Sequence, residues 1–296
     1  MKNALLRPAM IVLPLVVGAL LPQAATLSFL IRWLLVGMLF MVCLQLEIRE
    51  LKPRSCHWTI LAVNVVIGLA GYFLFRLLGY RELALVAFFT GITPTATAAP
   101  VIMNFLQGNV GFVVSGFVVT NVGVSLALAV LIPLTVGDFS PDFFLKVLEN
   151  LLVIMVLPLI LASIVRRLHP PAAQWPKRFR MLTLSVWSLL LFIVAAAAAK
   201  FLRGNTDLSF LSVAAIAGIS AALCAINFTV GKFIVPKEFC REGSQTLGQK
   251  NTMLTLYLAM TFASPLAALG PTFYAIFHNL WNACQLFAFD RHRNGK

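Results

Sequence analysis

The chain has 296 residues, of which 60% are hydrophobic and only 11% are charged, and its formal net charge is +13. A soluble domain carries about 25% charged residues, so this composition excludes soluble globular, disordered and disulfide-rich secreted proteins. It predicts an all-α polytopic membrane protein that forms a single domain over residues 1–296. In such a protein the positive charge is an orientation signal and not a nucleic-acid footprint.

Ten hydrophobic runs, bounded by charged residues, proline or glycine, predict ten transmembrane helices. They lie at about 5–22, 27–47, 58–79, 83–106, 110–136, 143–165, 180–202, 208–231, 243–264 and 267–289. Of the 23 Lys and Arg residues, sixteen fall on the side that holds the N-terminus, six fall on the other side, and Lys250 lies inside a span. We therefore expect both termini in the cytoplasm.

Two of the ten spans contain residues that interrupt a helix. In span 4, Pro94 removes a backbone donor and disfavours helical geometry at Thr93. Pro100 either repeats this interruption or lies in the first turn of a restarted helix. In span 9, residues 243–252 place two glycines and seven polar residues at membrane depth. Irregular backbone inside a bilayer is tolerated only where protein or a water-filled cavity satisfies it.

The two interruptions fall at corresponding positions, in the fourth span of the first five and in the fourth of the second five. Proline and glycine are common in membrane helices, which is the simpler explanation for one interruption but not for a matched pair. The pattern predicts a 5+5 inverted repeat, with halves of about 1–137 and 138–296, in which discontinuous helices 4 and 9 cross at a substrate site. Residues 1–25 also look like a signal peptide. We expect them to remain as the first span, because the repeat needs five helices in each half.

The same residues resemble the bile acid:sodium symporter superfamily, of which the chain looks like a divergent, bacterial-type ten-helix member. With the charge count, the resemblance implies a location in the inner (plasma) membrane of a bacterium. Helix 4 of that family reads like P-G-G-T-A-S-N-V, and the matching run here is Pro94-Thr95-Ala96-Thr97-Ala98-Ala99-Pro100-Val101. The family's helix-9 E-x-G-x-Q-N corresponds to Thr246-Leu247-Gly248-Gln249-Lys250-Asn251, and its helix-10 H-N pair to His278-Asn279. The segment Gly37–Leu46 is similar to the G-M-G-L-x-L region that closes helix 2. The resemblance implies a panel of helices 1, 2, 6 and 7 that rocks against a core of helices 3–5 and 8–10.

The resemblance also implies two sodium sites, and this chain departs from both. The ligand positions of the first site correspond to apolar residues or to residues without a carboxylate, namely Ala99, Pro100, Val113, Phe117 and Thr246. Those of the second correspond to Asn64, Thr246 and Lys250. An ammonium group opposes sodium by charge repulsion and can donate hydrogen bonds to the same oxygens. We therefore expect Lys250, Asn64, Thr246 and Gln249 to form a surrogate for the ion site, with no metal bound by the first set.

The functional hypothesis depends on Lys250. Placing a charge at mid-membrane costs at least about 2.5–3.5 kcal/mol, so such a residue marks a functional site by default. Three roles remain open from the sequence. Lys250 could exchange a proton and couple transport to the proton gradient. It could stay charged as a fixed replacement for sodium, which leaves a uniporter or exchanger. It could instead pair directly with a substrate carboxylate.

The predicted cargo is a small organic anion, either a carboxylate or a sulfonate, moved by alternating access without a cofactor. The half-helices that cross at the membrane centre offer unpaired N–H groups and a partial positive charge to such an anion. The candidate substrate-binding residues are Thr95, Thr97, Asn251, Thr252, His278 and Asn279. Keto acids, pantothenate-like acids and steroid acids all satisfy this chemistry.

Other functions fit the sequence less well. The chain lacks H-E-x-x-H, G-x-S-x-G and paired intramembrane aspartates, so we do not expect an enzyme. A cation/proton antiporter of similar crossover architecture needs an aspartate on helix 5 or 8, where this chain has Asn121 and Asn227. A permease related to the keto-acid or auxin carriers has the same layout and stays an alternative.

Overall fold

The computed structural model describes residues 13–45, 51–204 and 210–294. These residues are predominantly helical and contain no β-strand. Six helical segments within them are long and apolar enough to cross a membrane, which confirms the prediction of an all-α membrane protein. They are Pro22–Cys43, Ser55–Leu77, Val110–Val136, Pro141–Leu168, Met181–Phe201 and Phe210–Phe233.

Helical structure occurs at each of the ten predicted spans, as far as the described residues extend into them. The first helix, α1, covers residues 13–20, and the part of its predicted span before residue 13 lies outside the described residues. A 3-10 helix, Pro22–Phe29, precedes α2. The other α-helices are α2 (Leu30–Cys43), α3 (Ser55–Leu77), α4 (Arg81–Gly91), α5 (Ala98–Phe105), α6 (Val110–Val136), α7 (Pro141–Leu151), α8 (Leu157–Leu168), α9 (Trp175–Arg178), α10 (Arg180–Gly204), α11 (Phe210–Phe233), α12 (Cys240–Gly248), α13 (Thr252–Phe262) and α14 (Pro265–Asn294).

The chain divides into two compact units that are interleaved in the sequence. Unit 1 consists of the described parts of Met1–Glu47 and Phe139–Phe210. Unit 2 consists of Ile48–Asp138 and Leu211–Lys296, again as far as they are described. Each predicted half of the sequence therefore contributes helices to both units.

In unit 1, α2 packs against α8 and α10, and the 3-10 helix before α2 packs against α10. A π-helical turn, Leu152–Val156, joins α7 to α8. Arg32 on α2 and Glu149 on α7 form an ion pair at 3.1 Å.

Unit 2 contains two close helix contacts made by glycines. A Cβ added at Gly91, the last residue of α4, would lie 2.8 Å from the Cα of Gly68 on α3. A Cβ added at Gly231 on α11 would lie 2.5 Å from the carbonyl oxygen of Gly243 on α12. Small residues allow helices to approach closely in membranes. The contacts thus join α3 to the first half of the interrupted span 4, and α11 to the first half of the interrupted span 9.

Candidate substrate and ion site

The predicted interruption of span 4 separates α4 from α5. Helix α4 ends at Gly91 and α5 begins at Ala98, and the residues between them are not helical. Pro94 lies within this segment, where its missing N–H breaks no helical hydrogen bond. Pro100 is the third residue of α5, so of the two roles that the sequence allowed, the structure gives it the one in a restarted helix.

The predicted interruption of span 9 is shorter and lies against the first one. Helix α12 ends at Gly248 and α13 begins at Thr252. The Ala96 N–H donates to the carbonyl oxygen of Gln249 at 2.7 Å, and the Asn251 N–H donates to the carbonyl oxygen of Pro94 at 2.8 Å. These bonds form an antiparallel bridge between Thr95 and Lys250. The two interrupted helices therefore cross, and each satisfies backbone groups that the other leaves without a helical partner.

Lys250 is only 2% exposed, and its ammonium group faces the end of α4. The Nζ donates to Asn64 Oδ1 on α3 and to the carbonyl oxygen of Gly91 at 3.2 Å. The Asn64 side chain in turn donates from Nδ2 to the carbonyl oxygens of Ile92 and Thr93, at 3.2 and 3.1 Å. Because Gly91 is the last residue of α4, its carbonyl belongs to the negative end of the helix dipole. Lys250 and Asn64 thus connect α3, the interruption of span 4 and the interruption of span 9.

The four residues predicted to form the ion-site surrogate do not all meet. Asn64 and Lys250 are in direct contact. The Thr246 hydroxyl donates to the carbonyl one turn earlier in its own helix, at 2.7 Å. The Gln249 side chain points to α14, where its Oε1 accepts from Asn282 Nδ2. The ammonium group is therefore held by one predicted partner, Asn64, and by a backbone carbonyl that the sequence did not single out.

Of the positions that correspond to the other sodium site of the family that the chain resembles, only Thr246 has a side-chain oxygen. Ala99, Val113 and Phe117 are buried, and Pro100 is half-buried. The fully buried ring of His57 on α3 lies in this region, 4.3 Å from the ring of Phe112, measured between centroids. Its Nε2 has no hydrogen-bond partner among the described residues. Sodium prefers several oxygen ligands, and the side chains present at these positions do not fit it.

Four of the six predicted substrate-binding residues lie at the crossing. Thr95 is buried in the bridge, and its hydroxyl donates to the carbonyl oxygen of Thr246 at 2.5 Å. Thr97 and Asn251 are the residues that precede α5 and α13, and both are half-buried. Neither side chain caps its helix, so the first N–H groups of both helices lack the usual side-chain partner. Thr252, the first residue of α13, is 4% exposed.

The other two predicted residues lie on α14. His278 is 5% exposed, and its Nδ1 has no partner in the part of the chain that the structure describes. Its ring packs edge-on against Tyr274 with centroids 5.7 Å apart. The Tyr274 hydroxyl donates to the carbonyl oxygen of Gly248 at 2.8 Å, which connects this part of α14 to the end of α12. The Asn279 amide instead donates to its own helix, to the carbonyl oxygen of Ala275 at 2.7 Å.

Sequence reasoning missed the side chains of α6 and α13 that hold the crossing. The Thr120 hydroxyl donates to Thr95 Oγ1 at 2.8 Å, and Asn121 Nδ2 donates to the Thr95 carbonyl at 2.9 Å. On the other side of the same segment, the hydroxyls of Thr93 and Thr255 lie 2.8 Å apart. The available signal was a hydroxyl or amide inside an otherwise apolar span. Asn121 was noted only where an antiporter would have an aspartate, and its partner Thr95 could not be named.

Searches against protein-family models and against curated proteins find no match for this chain. The function of the chain is therefore inferred from its own residues and contacts.

Proposed function

We propose that this protein is a secondary transporter that moves a small organic anion by alternating access, without sodium as the coupling ion. The observation that carries the proposal is the crossing of two interrupted helices at the Thr95–Lys250 bridge, with a buried ammonium group beside it. Interrupted helices that cross near mid-membrane are a recurrent way to build a substrate site in secondary transporters. The proposal includes ten membrane spans, a 5+5 inverted repeat and cytoplasmic termini.

The packing of the chain supports this architecture. Unit 1 has the membership expected of the panel, and unit 2 that expected of the core, although neither unit is contiguous in sequence. Within unit 2, glycine contacts join span 3 to span 4 and span 8 to span 9, which are corresponding pairs in the two halves. Interleaved units of this kind arise naturally when two repeats each contribute to a panel and a core.

The chemistry of the crossing favours an anionic cargo. Helices α5 and α13 both begin there with N-terminal N–H groups that no side chain caps. Such groups, together with the positive end of the helix dipole, bind carboxylates and related anions. Thr97 and Asn251 are half-buried beside these N-termini and can add directed hydrogen bonds. No carboxylate of the described residues pairs with Lys250 to compete for this role.

The contacts of Lys250 favour the second of its three roles, a fixed replacement for a bound cation. Its Nζ donates to an amide oxygen and to a carbonyl at a helix C-terminus, which are oxygens of the kind that a sodium ion would take. A sodium ion at the same place would meet direct repulsion from the ammonium group. The amine also connects three segments of backbone, which suits a structural cation better than a group that detaches to follow the substrate.

A thermal-shift screen of the detergent-purified protein tests the proposal. The probes are 2-oxobutyrate, pantothenate and cholate, each with sodium and in sodium-free buffer. We expect at least one carboxylate to raise the melting temperature without sodium, and to lose this effect in both Lys250→Ala and Lys250→Met. Lys232→Ala is the matched control, because it removes an exposed lysine from the same unit and should keep the full shift. A ligand shift that requires sodium, or that survives both Lys250 variants, contradicts the proposal.

Flux into liposomes separates binding from transport. The probe with the largest thermal shift is followed as a labelled compound, with sodium and pH gradients imposed one at a time. We expect uptake that neither gradient drives. Uptake driven by the pH gradient would favour the proton-exchange role of Lys250, and a strict sodium requirement would exclude the sodium-independent mechanism.

A further inference from the structure

We infer that each transport cycle moves net negative charge, and that the membrane potential acts on the empty protein through Lys250, so that the protein exports its anion. The inference rests on the proposed function, since it assumes a transport cycle with an anionic cargo. It adds a driving force and a direction, which neither the composition nor the helix pattern indicates.

Among the residues that the structure describes, no carboxylate contacts the Lys250 amine. Its two acceptors, Asn64 Oδ1 and the Gly91 carbonyl, are neutral oxygens. The buried carboxylate on the same interrupted span, Glu242, lies two turns earlier on α12 and accepts from the Asn109 N–H at 2.7 Å. With Lys250 protonated, the empty crossing holds one positive charge, for which the negative end of α4 provides only a partial countercharge.

Apart from Glu242, the described titratable side chains where α11, α12 and α14 pack beside the crossing are Cys224, Tyr274 and His278, none of which is negative at its ordinary pKa. Cys224 and Tyr274 belong to one apolar cluster with Phe228, and the Tyr274 hydroxyl donates its proton to the Gly248 carbonyl. His278 lies against the Tyr274 ring and is either neutral or cationic. Beside the residues that the structure describes, an organic anion that enters the crossing is consequently the first negative charge to reach Lys250.

The Lys250 cation cannot leave with the substrate. A sodium ion that binds together with an anion crosses the membrane with it, so the net charge transferred per cycle becomes zero or positive. Lys250 is held by the backbone bridge on both sides and by two hydrogen bonds at its Nζ. After a complete cycle the lysine is back where it began. The net charge transferred is then the charge of the anion alone.

The membrane potential acts on Lys250 because the site opens to the two sides of the membrane in turn. In alternating access the site opens first to one side of the membrane and then to the other. Lys250 is therefore at the electrical potential of one side in the first state and at that of the opposite side in the second. In the loaded protein the negative charge of the anion and the positive charge of the ammonium group cancel. In the empty protein the positive charge is uncompensated, and an inside-negative potential favours the state that is open to the cytoplasm. Anion is then loaded inside, released outside, and the potential drives the empty protein back.

The magnitude follows from the charge. Moving one elementary charge through a potential of about 100 mV changes its free energy by about 2.3 kcal/mol. For a monovalent anion this corresponds to an outward concentration ratio of about 50. A sodium-coupled symporter under the same potential would accumulate its anion inside. The sign of the gradient therefore separates the two mechanisms without knowledge of the natural substrate.

Voltage-clamped giant liposomes that contain the purified full-length protein test the inference, with no organic anion present. We expect voltage steps to produce transient charge movements in the wild type, of at most about one elementary charge per protein. The transients should disappear in Lys250→Met, persist in Lys250→Arg, and persist in Lys232→Met, which removes an exposed lysine of the same unit. Transients that are absent from the wild type, or unchanged in a correctly folded Lys250→Met, overturn the inference. Size-exclusion chromatography establishes that each variant is folded.

A flux measurement separates failure of this inference from failure of the proposed function. Liposomes loaded with the labelled carboxylate that gives the largest thermal shift receive a potassium gradient and valinomycin, which set the potential. We expect an inside-negative potential to speed efflux and an inside-positive one to slow it. If the carboxylate binds and crosses the membrane but the potential does not change its efflux rate, the inference is wrong and the proposed transport function is unaffected. If none of the three carboxylates binds or crosses, the proposed function itself fails.

Discussion

Asn64→Leu is the most informative single change in the structure, because the Asn64 side chain makes three hydrogen bonds that join separate parts of unit 2. It donates to the carbonyl oxygens of Ile92 and Thr93 in the interruption of span 4, and it accepts from Lys250 in the interruption of span 9. Leucine has the same branched shape and the same number of side-chain heavy atoms, so the substitution removes the bonds without leaving a cavity.

The expected loss can be estimated from these contacts. Hydrogen bonds between membrane helices contribute about 0.6 kcal/mol on average and up to about 1.7 kcal/mol. Three such bonds predict a loss of about 2–5 kcal/mol in the free energy of unfolding. The upper part of this range is favoured because an ammonium group and two non-helical carbonyls would lose a partner while staying buried.

Reversible unfolding in mixed detergent micelles, followed by circular dichroism, measures this free energy. Asn104→Leu is the matched control, since Asn104 is exposed on α5 of the same unit and its replacement should change stability by less than about 0.5 kcal/mol. If Asn64→Leu is as stable as the control, Asn64 does not hold the crossing together. The role given to Lys250 as a fixed cation would then lose its main structural support.

Three further predictions test the surroundings of the crossing. Gly248→Ala places a Cβ 2.4 Å from the ring of Phe228 and should destabilise the protein by about 1–3 kcal/mol, whereas Gly218→Ala, with open space around it, should be neutral or stabilise by up to about 1 kcal/mol in the same unfolding assay. Equal effects of the two alanines would show that the ring does not lie against Gly248. Tyr274→Phe removes one hydrogen bond to the Gly248 carbonyl and should lower the free energy of unfolding by about 0.5–1.7 kcal/mol, so a more stable variant would argue against that bond. Lys250→Ala should melt at a lower temperature and recover part of the loss in ethylammonium, which can occupy the space beside Asn64; equal effects of ethylammonium on the wild type would contradict this explanation.

The sequence was sufficient for the features that depend on local chemistry. The high hydrophobic and low charged fractions identify a membrane protein, since no soluble fold of this size could cover such an interior. Pro94 predicts an interrupted helix because it lacks an amide donor and restricts the residue before it. The glycines and polar residues of 243–252 predict the second interruption for the same kind of local reason.

The partners of the polar side chains at the crossing could not be derived in this way. Thr246, Gln249 and Lys250 are neighbours in sequence, yet Lys250 alone faces Asn64, while Gln249 turns to Asn282 on α14. A residue on an interrupted helix can point in several directions, because the backbone there no longer follows the helical period. Asn64 and Lys250 are 186 positions apart, and no local pattern fixes which pairs meet over such a separation.

The sequence by itself therefore determined that the chain belongs in a membrane, where its helices break, and that one lysine lies among the residues of a break. Only the tertiary structure decided that the two interruptions cross, with Thr95 opposite Lys250, and that the ammonium group rests on Asn64 and on the end of α4. The physical reason is that hydrophobicity and backbone restriction are properties of short segments. The partner of a buried charge depends instead on which distant segments the packing of the whole unit brings within hydrogen-bond distance.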